Sequence, residues 1–172
     1  MKTFFYVLLI ILASIIQISF LSHFDFLKSI NLILIILILT AISDYPLSLF
    51  GAILGGFLLD IYSNFWFGST IVALISVVII IKVVFNNYLN KYHLFTYPVI
   101  GFIGVLSFNI IIILLSGFFY WIGVNKFIFI LDKFYWINLI EQIILNIIFI
   151  ILFYLFATLI RINFKKIINY EK

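Results

Sequence analysis

The chain has 172 residues, 67% of them hydrophobic and only 9% charged, with a formal net charge of +4 and a mean hydropathy of +1.38. Charge that sparse does not cover the surface of a water-soluble domain of this size, so composition assigns the chain to the integral membrane proteins. The absence of cysteine excludes a disulfide framework, a thiolate metal site and a cysteine nucleophile. The positive balance is thinly spread or gathered near residue 161 and beyond, which suits lipid headgroups and not nucleic acid.

Crossing the hydrocarbon takes about 20 apolar residues, somewhat fewer inside a bundle. Six segments qualify as candidates. The first, 4–21 (FFYVLLIILASIIQISFL), is too long for the apolar part of a secretion signal and has no small-x-small cleavage site, so it reads as a retained helix. The second, 30–42, is short, and the third, 47–62, contains the run GAILGGFLLD. The fourth covers 69–85, the fifth 97–122 and the sixth 138–160. Residues 123–136 (GVNKFIFILDKFYW) are aromatic and amphipathic and are expected to lie in the membrane interface. There is no internal repeat and no soluble domain, so the expectation is one all-α membrane domain over 1–172, a bundle of six transmembrane helices.

Lys and Arg set the orientation. With the N-terminus inside, Lys2, Lys82, Lys91, Arg161, Lys165, Lys166 and Lys172 fall inside, and Lys28, Lys126 and Lys133 outside. The bias places both termini in the cytoplasm. Lys82 lies near the inner end of its segment, within reach of the headgroups. The short second and third segments are equally compatible with a hairpin that does not fully cross, because a hairpin preserves the same orientation.

In the third segment Ser48, Ala52 and Gly56 recur every four residues, with Gly51 and Gly55 beside them. Helical spacing places these small residues on one side, a face for close helix packing either within the bundle or with a partner. Asp60 continues the series four residues after Gly56. It reads either as a functional carboxylate or as a local cap near the outer end of the helix. Gly68 closes the turn SNFWFG, where a positive φ is expected before a helix starting at Ser69 or Thr70.

Asn138, Gln142 and Asn146 form an i, i+4, i+8 stripe on the sixth segment, suited to hydrogen bonds between helices, with Glu141 beside them. Asn109 on the fifth segment and Gln17 on the first read as further polar links within the bundle. No phosphate-cradling glycine loop, HExxH helix or nucleophile elbow occurs. His23 and His93 fall on opposite sides of the expected topology and share no metal. No cofactor is implied, and an enzymatic role has no residue set to stand on. The tail RINFKKIINY is expected to lie along an anionic inner leaflet.

Gly56, Asp60 and Gly68 in GFLLDIYSNFWFG, together with the length and the six short-looped segments, resemble the MreD family of bacterial rod-shape-determining membrane proteins. Two family prolines are replaced here, one at Ile30 before Asn31 and one at Trp66. The resemblance implies a non-enzymatic scaffold of the cell-elongation machinery, partnered by a bitopic MreC-like protein and through it by MreB and the peptidoglycan synthases. It also implies a fold shared with the substrate-binding subunits of energy-coupling-factor vitamin transporters. That relation supplies the alternative, a solute-binding subunit whose pocket uses Asp60, Glu141, Asn109 and the polar stripe.

Overall fold

The computed structural model describes residues 2–63, 66–88, 95–123 and 132–170, without the side chains of 157 and 159–170. The described residues form six α-helices and no strand: α1 Lys2–Ser19, α2 Leu32–Ser43, α3 Tyr45–Tyr62, α4 Ser69–Tyr88, α5 Thr96–Trp121 and α6 Lys133–Tyr170. Two 3-10 turns, Leu21–His23 and Leu27–Ser29, lead from α1 to α2. Helices α1, α3, α4, α5 and α6 each carry a stretch long and apolar enough to cross a membrane. The protein is therefore an all-α, multi-pass membrane protein.

The sixth helix, α2, differs in kind. Its 12 residues rise about 18 Å at 1.5 Å per residue, against a hydrocarbon thickness of about 30 Å. The sequence LILIILILTAIS is apolar on every side, the pattern of a helix with no solvent face. In the fold α2 packs against each of the other five helices. Ile33, Leu34 and Ile35, which point to three different sides of the helix, are all fully buried, as is Leu37 one turn above Ile33. The second segment of the six-span expectation is thus the central post of the bundle, too short by itself to reach both membrane faces.

Around that post the order follows the chain: α3 lies against α1 and α4, α4 against α5, and α5 against α6. The outward sides of α1 and α6 are rows of exposed Phe, Leu and Ile, such as Phe4, Leu8, Leu12, Ile15, Ile140 and Ile144, as expected of surfaces solvated by lipid tails. Helix α3 starts two residues before the sequence-based limit because Asp44 caps it, accepting the Leu47 N–H at 3.3 Å, and Pro46 sits in the first turn, where its missing N–H costs nothing. Lys82 Nζ stands 5.9 Å from the centre of the Tyr45 ring at this end, a cation–π placement.

Helix α6 corrects two limits. It opens at Lys133, so residues 133–136 of the segment expected in the interface are helical, whereas 124–131 lie outside the described residues. It then runs without a break to Tyr170, ten residues past the expected end. Its 38 residues rise about 57 Å, nearly twice the hydrocarbon thickness.

Candidate functional site

Asp60, in the last turn of α3, is buried, and both carboxylate oxygens are occupied by the start of α4. Oδ2 accepts from the backbone N–H of Gly68 at 2.9 Å and of Ile71 at 3.2 Å, and Oδ1 from that of Thr70 at 3.0 Å. The first i to i−4 bond of α4 runs from Val72 to Gly68 O, so the donors without a helical partner are those of Gly68, Ser69, Thr70 and Ile71. The fourth, Ser69, donates to Trp66 O at 2.9 Å. All four are satisfied, three of them by one side chain from the preceding helix, and the carboxylate meets the positive end of the α4 dipole. Gly68 has φ +95°, the left-handed region that favours glycine, with open space where a Cβ would stand. Trp66 stacks on Phe119 of α5 with centroids 5.3 Å apart.

The small residues of α3 face the chain's own helices. A Cβ on Gly56 would stand 2.6 Å from Ile71 Cα, so α3 and α4 meet backbone to backbone there. A Cβ on Gly55 would meet Ile33 Cγ2 of α2 at 2.7 Å, and one on Gly51 the Tyr6 ring of α1 at 2.8 Å. Ala52 is fully buried, and Ser48 Oγ donates to Leu37 O of α2 at 2.9 Å. The spacing that places these residues on one side of α3 thus serves three neighbours at once.

The polar residues of α5 and α6 divide into two groups. Asn109 Nδ2 donates to Gln142 Oε1 at 2.9 Å and to Val105 O at 2.9 Å, linking α5 to α6. Asn146 is fully buried: its Oδ1 accepts the Asn31 N–H at 3.0 Å and its Nδ2 donates to Ser29 O at 3.1 Å and Gln142 O at 2.7 Å. It thereby ties α6 to the entry of α2. Asn138 is exposed on its helix and lines a cleft of about 270 Å³ with Lys28, Asn109 and Gln142. Glu141 does not line that cleft, and its charge acts on Lys28.

The start of α2 is where the sequence reading fell short. Three of the four N–H groups without a helical partner end on amide oxygens from three places: Asn31 N–H on Asn146, Ile33 N–H on Gln17 at 3.3 Å, and Leu34 N–H on Asn31 at 3.0 Å. Asn31 before an apolar run is a recognisable cap signal. Nothing in the sequence pairs Gln17 or Asn146 with it.

Beside this end lies a second cleft of about 490 Å³, walled by Gln17, Asn31, Lys28, Tyr62, Ser63 and Thr70 and by the apolar Ile18, Leu59 and Phe108. Lys28 Nζ donates to Asp25 Oδ1 at 2.9 Å, and both are exposed. That bond holds the Asp25 carboxyl below the usual carboxylate range and raises Lys28 above the usual lysine value. Asp60, expected in the alternative solute pocket, is not on the wall of either cleft, because α4 has taken it up. His93 and Lys126 lie outside the described residues. Among the described residues no three His, Asp or Glu side chains gather into a metal-binding group. Compared with known proteins, the chain matches no family model, no curated protein and no solved structure.

Proposed function

We propose that this chain is a non-enzymatic scaffold subunit of the bacterial cell-elongation complex, of the MreD type, held in the cytoplasmic membrane with both termini inside. The observation that carries this reading is where the polar side chains within the bundle spend their hydrogen bonds. Asp60 serves the start of α4, and Gln17, Asn31 and Asn146 serve the start of α2. The Gly56, Asp60 and Gly68 motif that resembles the family is thus an architectural lock between α3 and α4. With the small face of α3 turned inward, the surface left for partner helices is the apolar exterior, for example Ile53, Phe57 and Ile61 of α3.

The test is co-purification with a bitopic MreC-like protein, followed by single-cysteine crosslinking along the exposed rows of α1, α3, α5 and α6. Crosslinks confined to one row support the scaffold, and failure of the two proteins to co-purify from a shared membrane overturns it.

One observation favours a second reading, a solute-binding subunit. The cleft bounded by Asn109, Asn138 and Gln142 is polar and open at one end of the bundle. A saturable rise in melting temperature with one water-soluble vitamin supports that reading, and a flat screen removes it.

A further inference from the structure

The large cleft has a chemical bias that the scaffold reading does not use. The oxygens of Gln17 and Asn31 are fixed towards α2 by the backbone N–H groups of Ile33 and Leu34, which decides which end of each amide is left over. Each therefore presents its NH₂ donors to the cleft it lines, with no protein partner among the described residues, and Asn31 is only 7% exposed. Lys28 adds an ammonium that gives one bond to Asp25 and has two further donors. No carboxylate lines the cleft, and Asp25 and Asp60 are already used, by Lys28 and by α4. A wall with two amide NH₂ groups, an ammonium, four hydroxyls and no carboxylate, beside the positive end of α2, suits a head group made of acceptor oxygens.

The cleft has an apolar annex. A groove of about 250 Å³ between α1 and α3 is lined by Ile11, Ile15 and Leu58. Ile18 and Tyr62 line both the groove and the cleft, so the two cavities share walls. The groove lies along the exposed, lipid-facing side of α1, where Ile15 is 53% exposed.

We propose that this end of the bundle binds a phosphate-headed membrane amphiphile, its head among Gln17, Asn31 and Lys28 and one apolar chain in the groove between α1 and α3. This goes beyond both functional readings and depends on neither. The amides and the ammonium donate to phosphate oxygens, and the groove solvates the chain without taking it out of an apolar medium. A phospholipid and a prenyl phosphate share this chemistry and differ in the tail.

The test uses the full chain purified in a maltoside detergent, with ligand retention read by native mass spectrometry. The probes are lysophosphatidylglycerol, the monoacylglycerol of the same chain length and a prenyl monophosphate. Two variants divide the site. Gln17→Glu keeps an oxygen for the Ile33 N–H but replaces the NH₂ donor by a second carboxylate oxygen, and Ile15→Trp fills the groove. Val83→Trp, on the exposed side of α4, is the control.

The expected result is a one-to-one adduct with lysophosphatidylglycerol or the prenyl phosphate, about tenfold less with monoacylglycerol, and about tenfold less with either variant but not with Val83→Trp. Whichever of the two phosphates is retained better identifies the tail and supports the site. Equal retention of monoacylglycerol, or unchanged retention in both variants, overturns it.

Discussion

Asp60 accepts the backbone N–H of Gly68, eight residues further along the chain, at 2.9 Å, across the connection between two apolar helices. The same carboxylate holds Thr70 and Ile71, so a single side chain at the end of α3 fixes where α4 begins and how closely it returns. Each hydrogen bond to a charged acceptor contributes about 1.5–3 kcal/mol, and a buried donor left without a partner costs about as much.

Removing that carboxylate should be among the most damaging single changes in the protein. Asp60→Ala is expected to lower stability by about 3 kcal/mol or more, read as a drop in melting temperature in detergent. Asp60→Asn should fall between, because its one oxygen can still serve Gly68 and Ile71 while its NH₂ is left facing the Thr70 N–H. An Asp60→Ala protein that melts with the wild type would show that these bonds carry no weight.

The glycines should separate by surroundings. Gly56→Ala drives a Cβ onto the Ile71 backbone and is expected to cost about 1–3 kcal/mol. Gly117→Ala, inside α5 with nothing within 4 Å, should be neutral or stabilise by up to about 1 kcal/mol. Gly68→Ala has space but a φ of +95°, and should cost about 1–2 kcal/mol through the backbone alone. Equal melting temperatures for the three variants would contradict the packing described.

At the entry of α2, Asn146→Leu leaves the buried Asn31 N–H and the half-buried Ser29 carbonyl without their partner. A loss of about 2–3 kcal/mol is expected. Asn109→Leu, half-buried at the link between α5 and α6, should cost about 1 kcal/mol or less. The order of the two melting temperatures is the check, and a larger loss at Asn109 would reverse the assignment of roles.

The chain has no cysteine, so single introduced thiols report exposure cleanly. Thiols at Ile53 and Phe57 of α3 should react with a lipid-soluble maleimide, and thiols at Leu34 and Leu37 of α2 should not until the protein unfolds. For orientation, a thiol at Ser22 is expected to react with an impermeant maleimide from outside intact cells, and one at Asn86 only after lysis. Reaction of both from the same side would break the six-segment path.

The helices were legible because apolar length alone dictates them: lipid offers no partner for backbone N–H and C=O, so long apolar runs such as 97–122 have no other form. The start of α4 after Gly68 was legible as local chemistry, since turn preferences act within a few residues, whereas the Asp44 cap, equally local, was passed over and the start of α3 set two residues late. Composition and periodicity also placed Ser48, Ala52 and Gly56 on one side of α3.

Tertiary structure decided which neighbours those faces meet. An apolar helix looks the same in sequence whether lipid or protein surrounds it, so only packing could show that α2 stands inside the bundle against all five other helices. The donors at its start are served from 16 residues away at Gln17 and 115 away at Asn146, distances at which local propensity carries no information. Asp60 was ambiguous for the same reason: its role depends on the return angle of α4, which burial and hydrogen bonding across the bundle set.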